Sequence, residues 1–248
     1  MGHKWFQQFA SKWEFPNNYT TIDLETNGVD ETKNEICTIG YTVVRDRKPI
    51  ATHELVLNWP EYEHIDQAIF KLDLQNAQRG MESRGDTFHH TYDFLKTHGL
   101  PPLEVLKHLL DLVEDIEERG ELMIMHNGWK FDVEFIQAAL HNHLGVVYEL
   151  EGNSVYDSGI CEKAAQLDDC DNPIPFEHET MKDWALRIGS LRRRGITWAL
   201  HRHCESRYGL TKRADVPATD AHKGGADSLL IHHLFEEHRR LAELDGVT

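Results

Sequence analysis

Residues 19–25, Tyr19-Thr20-Thr21-Ile22-Asp23-Leu24-Glu25, decide how this chain is read. Ile22 and Leu24 alternate with Thr21, Asp23 and Glu25, the period of a β-strand with one apolar face. The same period points the Asp23 and Glu25 carboxylates to one side. Two like charges ~4 Å apart at an effective dielectric of ~20 repel by about 4 kcal/mol. A divalent cation would remove that conflict, because Mg²⁺ and Mn²⁺ take oxygen ligands. The competing reading is an ordinary strand with a solvent-exposed polar face, and the pair taken alone favours it.

Working outward, residues 36–44 and 50–57 are rich in Val, Ile, Thr and Leu and read as two further strands. Arg45-Asp46-Arg47-Lys48-Pro49 between them reads as a turn, and the short separations predict antiparallel neighbours. A helix is expected around 65–78, then a loop at Gly80 and Gly85. Leu106, Leu109, Leu110 and Val113 recur at helical spacing within 103–119, with Pro101-Pro102 before and Gly120 after. Residues 122–125 read as a short buried strand and 131–143 as the next helix. Residues 167–179, acidic and Pro-containing, read as an exposed loop. Helices are expected over 181–188, 197–208 and 225–241. Three antiparallel strands followed by alternating helix and strand predict an α/β chain with a mixed sheet covered by helices.

Two more acids sit in matched surroundings. Asp132 is followed by Phe135, Ile136, Ala139 and Leu140, and Asp227 by Leu230, Ile231, Leu234 and Phe235, at the same four offsets. Each aspartate therefore lies on the inward stripe of its helix, where an unpaired carboxylate is expensive. An N-cap or a buried salt bridge accounts for one such residue. Two of them, together with a same-face pair on a strand, are better explained by a four-carboxylate metal site. His222 lies five residues before Asp227, and five helical steps turn a side chain about 140° away. With Gly224 and Gly225 between them, His222 reads as a loop residue that reaches the site from the side as a general base. The other histidines, including His89, His90, His141, His143, His232 and His233, read as surface residues, and His201-Arg202-His203-Cys204 as a surface helix.

The chain has 248 residues and carries 26 Lys and Arg against 42 Asp and Glu, a net charge of −16. That length allows one large domain or two small ones. No apolar run reaches the ~18–20 residues of a membrane-spanning helix, and the first residues lack a secretory apolar core. Cys37, Cys161, Cys170 and Cys204 form no CxxC pair, which argues against a zinc ribbon or a disulfide scaffold. An intracellular, cytoplasmic setting with no membrane partner is expected. A net −16 argues against a phosphate-rich partner until its distribution is read. Residues 182–213 hold nine basic residues, Arg192, Arg193 and Arg194 among them, against Asp183 and Glu205. This segment precedes His222 and is a candidate path for the phosphates of a nucleic-acid strand. The alternative is a solvated helix pair whose arginines meet local acids.

Three segments in order, 22–28 (IDLETNG), 126–132 (HNGWKFD) and 222–227 (HKGGAD), resemble the motifs of the DEDDh branch of the DnaQ-like exonucleases. The resemblance spans roughly 19–241. It implies an RNase H-like fold, a mixed central sheet of three antiparallel strands then parallel strands, flanked by helices. The exonuclease domain would run over 19–243, after an N-terminal extension over 1–18. Two divalent cations, Mg²⁺ or Mn²⁺, would be held by Asp23, Glu25, Asp132 and Asp227, with His222 taking the proton of the attacking water. The implied activity is release of nucleoside 5′-monophosphates from the 3′ ends of single-stranded nucleic acid, DNA ahead of RNA, with a polymerase or repair protein as candidate partner. An exoribonuclease and a non-catalytic nucleic-acid-binding or polymerase-accessory module are the alternatives. Thr26, Asn27 and Asn127 are candidates to meet the terminal nucleotide, and Trp129 to stack on a base or to serve as a core or lid aromatic. Gly224 stands where many members of the family have Ala, which predicts a looser loop. Residues 58–102 and 150–179 carry no specific match.

Overall fold

Strand β1 (Tyr19–Thr26) sits at the centre of a five-stranded sheet in the order β3-β2-β1-β4-β5. The others are β2 (Ile36–Arg45), β3 (Lys48–Val56), β4 (Leu122–Met125) and β5 (Val155–Asp157). β1 pairs antiparallel with β2, which pairs antiparallel with β3. On its other side β1 pairs parallel with β4, and β4 with β5. This is the expected mixed sheet, three antiparallel strands then parallel ones, of the RNase H-like fold. The computed structural model describes residues 3–167, 169–192, 196, 199–210 and 223–244. The β2–β3 turn is tight, with Asp46 and Arg47 both at positive φ, as a two-residue hairpin requires.

Helices cover both faces. Helix α4 (Pro102–Glu118) starts with Pro in its first turn and stops before Gly120 at φ 62°. It lies on the face of Ile22 and Tyr41, where the Tyr41 hydroxyl meets His108 at 3.0 Å. Helix α9 (Gly224–Leu244) lies on the opposite face, that of Thr21, Asp23 and Glu25. Thr21 donates to the Ser228 carbonyl at 2.7 Å, and Thr42 meets the Ser228 hydroxyl at 2.9 Å. Leu230, Ile231, Leu234 and Phe235 of α9 and Phe135, Ile136, Ala139 and Leu140 after Asp132 are all buried, as their spacing predicts. Helix α1 (His3–Lys12) packs on α9, with Phe6 stacked on His238 and Phe9 edge-on to Tyr156.

Three elements that the sequence reading does not single out are short. Helix α3 (Tyr92–His98) and helix α6 (Ser158–Ala164) have seven residues each and β5 has three, too few for a period to show. Helix α5 (Asp132–Ala139) ends before 143, because Leu140–Leu144 widens into a π turn. Gly80 lies inside helix α2 (Gln67–Glu82), not in the loop expected there, with Asp66 capping that helix by accepting from the Ala68 and Ile69 amides. Helix α7 (Met181–Ser190) opens with a capping box between Thr180 and Asp183. Helix α8 (Leu200–Ser206) falls inside the helix expected over 197–208. Several histidines expected at the surface are interior. His90 is buried against Thr38 at 3.3 Å, and His232 against the Tyr19 hydroxyl at 2.8 Å. Cys37, Cys161 and Cys204 are buried and Cys170 is exposed, all as free thiols. Among the described residues, no helix is long and apolar enough to cross a membrane.

Candidate active site

The site forms where the start of α9 crosses the middle of the sheet. Asp23 on β1 stands opposite Gly40 on β2, which stands opposite Glu54 on β3. A Cβ on Gly40 would lie 1.8 Å from the Gly224 carbonyl, and one on Gly224 would lie 2.8 Å from the Gly40 nitrogen. Two glycines thus let the end of a helix touch a strand. Gly224 is already helical and closely packed, so the looser loop expected there is replaced by a fixed helix start. Asp227, in the first turn, is thereby set against β1. Asp23, Glu25 and Asp227 each offer a carboxylate oxygen, all within 4.8 Å of one another.

Asp132, the first residue of α5, also meets β1. Its Oδ1 accepts the Leu24 amide at 3.0 Å. The loop that delivers it is clamped by a buried carboxylate that the motifs do not include. Asp157, at the end of β5, accepts the amides of Asn127 at 2.8 Å, Ile160 at 3.0 Å and Trp129 at 3.3 Å. Asn127 itself sits at φ 65°, ψ 25°, the left-handed conformation that Asn tolerates in turns.

Electrostatically the acids crowd one another. Burial, then the charges of Asp227, Glu25 and Asp132, push Asp23 well above the carboxylate range. Burial, then Asp227, Asp132 and Glu54, push Glu25 up to about 8. Burial pushes Asp132 up to about 8, against the Leu24 amide and with the added charge of Asp157. Burial likewise raises Asp157 to about 6, opposed by the amides it accepts. Among the described residues no Lys or Arg forms an ion pair with Asp23, Glu25 or Asp132. Crowded oxygen donors of this kind fit a hard divalent cation.

The structure places the remaining candidates as follows. His222, Arg193 and Arg194 lie outside the described residues. Arg192 is exposed. Arg187 and Arg207, also counted in the basic segment, are taken up by Glu179 and Glu162, at 2.6 Å each, so that part of the segment is structural. Trp129 takes the place of the core aromatic: it is 3 % exposed, and its indole N–H donates to the Val155 carbonyl. Asn27 is 2 % exposed, its side chain accepting the Glu35 amide at 2.6 Å, so it closes the β1–β2 connection. Thr26 donates to the Gly28 carbonyl in the same turn. Asn127 is engaged through its amide by Asp157.

Helix α8 is not a surface helix. His203 and Cys204 are buried. His201 reaches the site, its Nε2 lying 2.5 Å from Asp227 Oδ1. Burial opposes its protonation, but the Asp227 hydrogen bond and charge, with Asp86 and Glu205, raise its pKa above the usual imidazole range. Spacing could not have found it, because the contact joins residues 26 apart across two helices. Glu54 could have been found by counting the period of β3 across to Gly40 and Asp23.

No protein-family model matches the chain, and no curated protein matches its sequence. Solved structures do match. E. coli exonuclease I in complex with a dA16 oligonucleotide superposes with a TM-score of 0.59 at 14% identity, over 92% of this chain and 43% of that one. A complex of exonuclease I with the SSB C-terminus gives 0.54 at 13% identity, over 93% and 43%. The chain spans less than half the length of these exonuclease I structures. At this identity the likeness establishes the architecture, and the chain has the RNase H-like fold of exonuclease I.

Proposed function

We propose that the chain is a metal-dependent 3′→5′ exonuclease acting on single-stranded nucleic acid, DNA in preference to RNA, and releasing nucleoside 5′-monophosphates. The observation that carries this reading is the convergence of Asp23, Glu25 and Asp227 within 4.8 Å. Asp132 beside them is held by the Leu24 amide. The resemblance of the three sequence segments to the DEDDh motifs supports it, as does the fold shared with a protein solved bound to single-stranded DNA.

Asp23, Glu25, Asp132 and Asp227 would hold two divalent cations, Mg²⁺ or Mn²⁺. When bound, these would offset the carboxylate charges, stabilise the charge developing on the phosphate and favour ionisation of the attacking water. Asp132, with one oxygen engaged by β1, keeps a defined orientation of the other. His222 would accept the proton from the attacking water, its imidazole suited to exchange near neutral pH. Arg192, with Arg193 and Arg194, would meet strand phosphates as they approach.

The test is a 5′-labelled single-stranded oligonucleotide, as DNA and as RNA, with Mg²⁺ or Mn²⁺. Stepwise shortening from the 3′ end is expected, faster on DNA, and absent in Asp23→Ala. Faster shortening of RNA would make the chain an exoribonuclease. Tight strand binding without any shortening would make it a binding module and overturn the proposal.

A further inference from the structure

We infer that His201 is a positioning residue for the Asp227 carboxylate, and that α8 is locked in place for this purpose by a buried anchor centred on Glu162. The inference rests on the metal-site reading above. The Nε2 of His201 lies 2.5 Å from Asp227 Oδ1. A carboxylate that binds a cation only accepts, so in that role Nε2 would carry the hydrogen and donate it. One lone pair of one oxygen is thereby used, and the contact restrains how the carboxylate can turn.

A seven-residue helix cannot hold such a contact by itself. Helix α8 is tied down on its other side. Glu162 of α6 has no exposed side-chain surface. It accepts from Arg207 at 2.6 Å and from the Tyr208 hydroxyl at 2.6 Å, with His203 Nδ1 at 3.3 Å. It also meets His238 of α9 at 2.7 Å, whose other ring nitrogen meets the Tyr156 hydroxyl at 2.8 Å. His201 and His203 are two residues apart, about 200° around a helix, so they leave α8 on opposite sides. One side reaches the anchor and the other reaches Asp227. Asp227 and His238 belong to one helix, about 16 Å apart along its axis. Helix α8 therefore bridges two points of a rigid element, one of them a metal-binding acid.

Hydrogen bonds that orient ligating carboxylates typically contribute ~10–100-fold to metal affinity when removed. The experiment is direct titration of Mn²⁺ into wild type, His201→Ala and His201→Gln, by calorimetry or electron paramagnetic resonance, with the melting temperature of each measured in chelator. His201 is partly exposed, so both variants are expected to fold. Alanine is expected to weaken Mn²⁺ binding ~10–100-fold with an unchanged melting temperature. Glutamine, whose amide can donate from a similar distance, is expected to retain most of the affinity. Equal or tighter binding by the alanine variant would overturn the proposal and leave the metal reading intact. Equal weakening in both variants would also overturn it, since the hydrogen bond would then not be the cause. Failure of the wild type to bind Mn²⁺ would overturn the metal reading and the proposal with it.

Discussion

Asp227 and His238 on α9 serve two groups of buried acids that behave in opposite ways. Around Asp227, the neighbours of Asp23 and Glu25 are other carboxylates, and both groups titrate above their usual range. Around His238, Glu162 is surrounded by donors. Burial alone would push it up, but His238, Arg207 and Tyr208 overcome that and hold it at about 2. Desolvation is common to both, so the partners decide. A carboxylate supplied with cationic donors is part of the framework, and breaking it leaves those donors unpaired. Carboxylates supplied mainly with each other are receptive to cations from solution, at a cost to stability that a functional site can carry.

The largest test of this contrast is at Asp23. Asp23→Asn is expected to lower nuclease activity on the order of 10³-fold. Its melting temperature in chelator at pH 8 should rise, because the folded state no longer has to keep a crowded, buried carboxyl protonated. A fall in both would make Asp23 structural and erase the difference between the two regions. Glu162→Gln should do the reverse, losing about 3–5 kcal/mol in urea unfolding, since Arg207 would be left without its counter-charge. An unchanged midpoint would mean that the anchor is not needed.

Gly40→Ala sharpens the contrast from the backbone side. Its new methyl would meet the Gly224 carbonyl, so α9 must shift, with an expected loss of about 1–3 kcal/mol. Weaker Mn²⁺ binding should accompany that loss, because Asp227 moves with the helix. Wild-type stability and affinity in this variant would show that the close approach is not what sets Asp227.

pH dependence tests the same contrast through the solvent. Glu25 and Asp132 move from 4.5 and 3.8 to about 8, so the folded state binds more protons than the unfolded one between roughly pH 4 and pH 8. Stability in chelator should therefore fall as pH rises through that window, and Mn²⁺ should flatten the slope. Glu162 moves from 4.5 to about 2, so its contribution is complete above pH 4.5 and is lost as pH falls towards 2. Melting curves in chelator should show both limbs, with Asp132→Asn reducing the alkaline one and Glu162→Gln the acid one. A profile without either limb would contradict the contrast.

Much of this molecule was legible before any coordinates. The strands around 19–25, 36–44 and 50–57, the helix over 103–119 and the buried stripes after Asp132 and Asp227 all follow from period and punctuation. The pairing of Asp23 with Glu25 follows from strand alternation. Burial and partners are not written in a residue's type, so the sequence alone leaves Trp129 open between a base-stacking and a core role and offers Asn27 as a nucleotide contact. Trp129 is bonded to Val155, 26 positions away, and Asn27 is closed onto Glu35. The same reason hides the role of Asp157 and the contact of His201, whose segment reads as a surface helix. One clamps a loop 30 residues before it, and the other reaches an acid 26 residues after it.

By itself the sequence determined which acids share a face and which helical stripes turn inward, because side-chain direction follows from backbone geometry within a few residues. Only the tertiary structure decided that Gly40 and Gly224 touch, that α8 is locked by Glu162, and that His201 meets Asp227. Those outcomes depend on how finished elements pack in three dimensions, where the distance along the chain no longer says which groups are neighbours.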